Sequence, residues 1–202
     1  MNRKWLVGGV AAFLAIAAIL ALVIGGVVGR SIVPSTTEPA APAVEPPPPQ
    51  GTTRFKDTLT DISIAYPAAW QRRLARDQEV RMIASSPDAS AAVSISVRKS
   101  ELETVTAQTL PLVRPLTDDL LRADTRIETV PEPVPVTVDG LPGYRYTYTY
   151  RREQGGQGAH IHYFLFKQER VIQMVFQAVP AAKLDELQPT FDAIAASFDK
   201  GA

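Results

Sequence analysis

The 202-residue chain contains no cysteine, which excludes a disulfide framework, a thiolate metal cluster, a cysteine nucleophile and a lipid-modified N-terminal cysteine. It also lacks an excess of charge of either sign, because 21 Lys and Arg balance 21 Asp and Glu. Without a basic surplus there is no electrostatic footprint for nucleic acid. Histidine is scarce, with His160 and His162 alone. No serine stands in a G-x-S-x-G elbow, and neither a Gly-rich phosphate loop nor an H-E-x-x-H pattern occurs. The familiar hydrolase, nucleotide-binding and zinc-protease classes therefore lose their signatures, and no cofactor is expected.

What the chain does contain is unevenly distributed. From Trp5 to Gly29 no residue is charged. A helix over that run, at about 1.5 Å per residue, spans roughly 37 Å against a hydrocarbon core of about 30 Å. The run is longer than the apolar region of a cleaved signal peptide, and Val27 and Gly29 make a poor cleavage site. Residues 1–30 thus read as a cytoplasmic stub and an uncleaved transmembrane signal anchor. Arg3 and Lys4 precede the span while only Arg30 follows closely, so the positive-inside rule places the N-terminus in the cytoplasm and the rest outside. Gly25 and Gly29 form a G-x-x-x-G pair, a weak signal for helix association.

Residues 31–53 hold Pro34, Pro39, Pro42 and the run Pro46 to Pro49, with few large apolar side chains. Such a segment cannot build a core and favours an extended polyproline spacer. Residues 54–202 are long enough for one extracytoplasmic domain with its own core.

Within that domain Ile62, Ile64 and Tyr66 alternate with polar or small residues up to Pro67, as do Val80, Met82 and Ala84, and Val93, Ile95 and Val97; each set predicts a half-buried strand. Ser100 with Glu103 resembles a capping box, and Leu102, Val105, Thr109, Leu112, Val113, Leu116 and Leu120 follow at helical spacing. This predicts a helix between Glu101 and Ala123, kinked or split at Pro111 and Pro115. The tract with Pro131, Pro133 and Pro135 is expected at a sheet edge or in a crossing loop. After Pro180, the spacing of Leu184, Leu187, Phe191, Ile194 and Phe198 predicts an amphipathic helix, with Pro189 a possible break.

The strongest β signal is a meander of Gly143 to Arg152, Ala159 to Lys167 and Val171 to Ala178. With a two-residue turn at Gly155-Gly156 and another at Gln168-Glu169, Arg151 faces His160, Tyr148 faces Tyr163, and Leu165 faces Ile172. Tyr144, Tyr146, Tyr148 and Tyr150 then share the core face with Ile161, Tyr163, Leu165, Ile172, Met174 and Phe176. Arg145, Thr147, Thr149, His160, His162, Phe164, Phe166, Gln173 and Gln177 share the other. A first loop longer by one residue swaps the tyrosines to the histidine side. Strands followed by a helix on an antiparallel sheet make an α+β layer fold.

Ile64-Ala65-Tyr66-Pro67-Ala68-Ala69-Trp70, the Val138-Asp139-Gly140-Leu141-Pro142-Gly143 turn, the Tyr-rich hairpin and the closing helix to Ser197-Phe198 resemble the PsbP-like superfamily, including its actinobacterial LpqN-type envelope members. The resemblance covers about Arg54 to Lys200. It implies an antiparallel sheet flanked by helices, used for binding or assembly, and it carries no catalytic signature. The anchor and stalk depart from the chloroplast members, so no photosystem role is implied.

Three groups of residues are candidates for chemistry. His160 and His162, two apart on a strand, point to one face and suit two imidazoles on one metal ion, although zinc needs a third protein ligand. Asp118, Asp119 and Asp124 gather carboxylates near a helix end, with Arg122 and Arg126 as ready partners. Phe164 and Phe166 beside Arg145, Thr147 and Thr149 make a mixed face that suits a partner or ligand unless the preceding helix covers it. The expectation is a non-enzymatic, membrane-anchored envelope module with an envelope protein or a small ligand as partner. A metal-dependent activity at His160 and His162 is the alternative.

Overall fold

The computed structural model describes residues 51–102 and 104–202. The expected membrane span and most of the Pro-rich linker lie outside the described residues. Among those described, no helix is long and apolar enough to cross a membrane.

Strand β1 (Thr52–Lys56) pairs with β2 (Ser63–Pro67) in a small antiparallel sheet; it begins inside the range expected of the linker. The remaining strands are β3 (Gln71–Arg73), β4 (Val80–Ser85), β5 (Ala91–Lys99), β6 (Val134–Val138), β7 (Leu141–Arg151), β8 (Gln157–Lys167) and β9 (Arg170–Ala178). They form one antiparallel sheet in the order β3-β4-β5-β9-β8-β7-β6. Helix α1 (Leu110–Arg122) crosses between β5 and β6, and α2 (Leu184–Ala196) follows β9. The α+β class and the flanking helices are those expected. The proline-rich tract supplies edge strand β6, where Pro135 needs no outer ladder bond.

The helix expected from Glu101 starts only at Leu110. Pro111 lies in the first turn, where an N–H is orphaned in any case, while Ser100 Oγ accepts the Leu102 N–H in a local turn. Pro115 and Pro189 are each accommodated inside a continuous helix. Strand β4 also departs from simple alternation. A register shift between Val80 and Met82 leaves Met82 and Ala84 in the main core but turns Val80 to the opposite side with Ile83, the usual effect of one extra residue in a strand.

The two sides of the large sheet are built differently. One packs Ile95, Ile161, Leu165, Ile172, Met174 and Phe176 against β1, β2, Phe191 and Ile194 of α2, and Phe198 just beyond that helix. The other packs Tyr144, Tyr146, Tyr148, Phe164 and Phe166 under Leu110, Val113 and Leu121 of α1. Gly143 permits the close β7–β8 approach that joins them, since a Cβ there would lie 2.2 Å from the Phe164 carbonyl oxygen.

Candidate functional site

The first hairpin decides which side chains meet. Arg151 pairs with Gln157, so residues 152–156 form a five-residue loop in which Gly155 and Gly156 both take positive φ. His160 consequently faces Tyr148, not Arg151, and His162 faces Tyr146. The displacement from the expected register is three residues, an odd number, and the tyrosines move to the histidine face. The second hairpin keeps the expected register, with Leu165 opposite Ile172 and Tyr163 opposite Met174.

This corrects the mixed face. Phe164 and Phe166 are buried beneath α1, whereas Arg145, Thr147 and Thr149 project from the opposite side of β7. The five residues do not assemble.

In their place the α1 side carries a buried polar network among aromatic rings. Tyr146 Oη donates to Asp118 Oδ1 at 2.7 Å and lies 2.6 Å from Thr117 Oγ1, and Tyr144 Oη donates to the Leu110 carbonyl at 3.2 Å. These bonds pin α1 to the sheet. Asp118, expected near a helix end beside Arg122, is buried, with Arg114 Nε at 3.5 Å and Arg122 Nη2 at 3.7 Å from its carboxylate. Asp119 pairs with Arg122 at 2.6 Å, and Asp124 receives three bonds from Arg126, from the backbone N–H at 3.0 Å and from the guanidinium at 2.9 and 2.7 Å. Burial pushes the Asp124 carboxyl up, but the Arg126 bonds and charge outweigh it and hold the group below the usual range. Burial likewise raises the Tyr146 and Tyr148 phenols and pushes that of Tyr150 up to about 12.

Each ring nitrogen of the histidine pair already has a partner. His160 Nε2 lies 3.2 Å from Gln177 Oε1 and His162 Nε2 lies 3.0 Å from Gln173 Oε1, while both Nδ1 atoms approach Tyr148 Oη, at 3.3 and 3.2 Å. Burial lowers the imidazoles to about 4 and about 3, so both rings are neutral at neutral pH. Two rings that both donate through Nε2 would present two Nδ1 acceptors to a single hydroxyl proton. Reversing one glutamine amide, whose orientation is assigned from such networks, lets the rings adopt opposite tautomers and gives every ring nitrogen a complementary partner.

Among the described residues no group of three His, Cys, Asp or Glu could hold a metal ion. The four ring nitrogens of the pair face glutamine and tyrosine side chains. A cavity of about 30 Å³ beside it, lined by Leu120, Asp124, Tyr148, His162 and Gln173, has room for about two water molecules.

On the opposite side, Arg145 lines a larger open cleft of about 310 Å³ between β6 and α2, with Val136, Asp139, Tyr163 and Asp192. Its guanidinium carbon lies 6.0 Å from the Tyr163 ring centroid, and its Nε is buried without a hydrogen-bond partner. Asp192 stands on the exposed side of α2, between the core residues Phe191 and Ile194. Its sequence position carries no signal for this cleft, because the contact joins residues far apart in the chain.

No protein-family model matches the chain, and no curated protein matches it. Solved structures match its fold. Cyanobacterial PsbP (CyanoP) from Synechocystis sp. PCC 6803 is 14% identical with a TM-score of 0.56, covering 74% of this chain and 92% of its own. A Bacteroides thetaiotaomicron protein is 13% identical with a TM-score of 0.51, covering 74% of this chain. The chain spans about half of that protein, 48% of its length. LpqN, involved in cell envelope biogenesis of Mycobacterium tuberculosis, is 9% identical with a TM-score of 0.38, covering 75% of this chain and 79% of its own. The described domain has the PsbP-like fold.

Proposed function

We propose that the protein is a membrane-anchored, extracytoplasmic binding or assembly module of the bacterial cell envelope, and not an enzyme. The observation that supports this most directly is the placement of the chemistry-bearing side chains. The histidines, the central tyrosines and Asp118 are committed to a buried network beneath α1, whereas the cleft at Arg145 is open. The uncharged run Trp5 to Gly29 and the Pro-rich segment after it supply an anchor and a tether. A non-enzymatic role fits a sheet used as a scaffold, with recognition at its rim.

The absence of native cysteine makes a topology test direct. Leu74→Cys at a fully exposed position, 98% accessible, should react with a membrane-impermeant maleimide in intact cells, and Asn2→Cys only after permeabilisation. The reverse pattern overturns the orientation. Affinity capture of the full-length protein from its native membranes should recover a partner or ligand. Turnover of a cell-wall or ester substrate by the purified protein, abolished by one polar substitution, overturns the non-enzymatic reading.

A further inference from the structure

The cleft between β6 and α2 is lined by Arg145 and by two carboxylates, Asp139 and Asp192; Asp139 Oδ2 already accepts the Lys200 backbone N–H at 2.8 Å, which leaves Arg145 and Asp192 as the opposite charges still open to a ligand. Arg145 on β7 and Asp192 on α2 both line it, and neither side chain forms an ion pair or hydrogen bond with any described residue. Elsewhere on this domain such groups pair readily: Arg98 with Glu79 at 2.8 Å, Arg114 with Glu132 at 2.6 Å, and Arg126 with Asp124 at 2.7 Å. Tyr163 lines the same cleft and feels both charges. Burial raises its phenol, with Arg145 pulling it down and Asp192 pushing it up. Val136 and Val138, packed against the core, add apolar lining, and the volume is at the lower end of small-molecule sites.

A plain anion at Arg145 would meet the Asp192 carboxylate, and a plain cation at Asp192 would meet the guanidinium. A ligand that carries both charges satisfies both walls. Arginine is suited to the anionic end because its planar fork matches a carboxylate or phosphate. We propose that this cleft binds small zwitterions, with the carboxylate or phosphate end held by Arg145 and the ammonium end by Asp192. The assignment rests on reading the domain as a binding module and names the ligand class of that module.

The test follows the side-chain signals of Tyr163, Ala195 and Ala196 by NMR in the full-length protein in detergent micelles, with alanine as probe. Saturable shifts are expected. N-acetylalanine, which lacks the ammonium, and alanine methyl ester, which lacks the carboxylate, should each bind at least tenfold more weakly. Arg145→Gln and Asp192→Asn should each weaken alanine at least tenfold with the remaining spectrum unchanged, and Arg145→Lys should retain part of the affinity. Bicelles containing phosphatidylethanolamine form a second arm. Shifts there without shifts from alanine assign the zwitterion to a lipid headgroup, and the converse assigns it to a soluble ligand.

Absence of saturable shifts in both arms overturns the proposal, as does equal binding of N-acetylalanine or wild-type affinity in both charge variants. The binding-module reading fails separately, if the protein proves to be a catalyst. Membrane capture that is insensitive to Arg145→Gln, together with a silent cleft, sinks the zwitterion and leaves the module standing.

Discussion

The two sides of the seven-stranded sheet are held by different physics. The α2 side is an apolar core of aliphatic residues and Phe176, Phe191 and Phe198, whose stabilisation is non-directional and follows buried area. The α1 side encloses a comparable aromatic mass but threads it with directional bonds from Tyr144, Tyr146, Tyr148, His160 and His162. An apolar face tolerates small displacements, whereas a buried polar network is stable only when each member is satisfied. The α1 side is therefore the more specific of the two and the more sensitive to pH. It is also the face least available to a ligand.

The largest expected effect breaks the apolar side. Phe176→Ala removes a fully buried ring 5.3 Å from Phe191 and 5.9 Å from Tyr163. It should cost about 3–5 kcal/mol in urea denaturation; a loss below about 1 kcal/mol would show that this face is not the principal core.

Acid should act on the other side. The folded pKa values of about 4 and about 3 lie below the unfolded value near 6.5, so at acid pH the unfolded state binds more protons. The stabilisation is complete above about pH 6.5 and is lost as pH falls toward 4 and 3. Destabilisation on the order of 3 kcal/mol at each ring is expected between pH 7 and pH 4. His160→Gln with His162→Gln should flatten that part of the stability curve, and ring resonances titrating near pH 6.5 would contradict the burial.

Next in size is Tyr146→Phe, which leaves Asp118 and Thr117 short of a partner without changing the ring packing. A loss of about 1–3 kcal/mol is expected by chemical denaturation, and a neutral result would mean that water takes the place of the hydroxyl. The smallest effect sharpens the contrast from outside. Leu112→Ser, at a position 79% exposed on the outer side of α1, should change stability by less than about 0.5 kcal/mol. A larger loss would reveal that this part of α1 is covered in the assembled protein.

Much of the architecture could be read along the chain because it is written in local periods. The alternation of β5, β8 and β9, the stripe of Phe191 and Ile194 on α2, and the edge position of the Pro135 strand all follow from geometry within a few residues. The second hairpin was legible because its connection is a tight turn at Gln168, with φ 49, between the paired Lys167 and Arg170. The first was not. Its glycines sit inside a five-residue loop, and glycine content alone does not specify loop length. That single turn changed the partners of the tyrosines, split the expected Phe164 and Arg145 face, and brought the tyrosines to the histidine side of the sheet. The late start of α1 has a similar cause, since a plausible cap at Ser100 competed with a proline-led start at Leu110.

By itself the sequence determined the α+β class, the succession of strands and helices, and the lack of familiar catalytic signatures, because composition and period are properties of neighbouring residues. Only the tertiary structure decided that His160 and His162 share the hydroxyl of Tyr148, and that Arg145, Tyr163 and Asp192 line one cleft. Those encounters depend on loop length, strand register and the docking of α2, and each joins residues whose separation along the chain carries no period to reveal it.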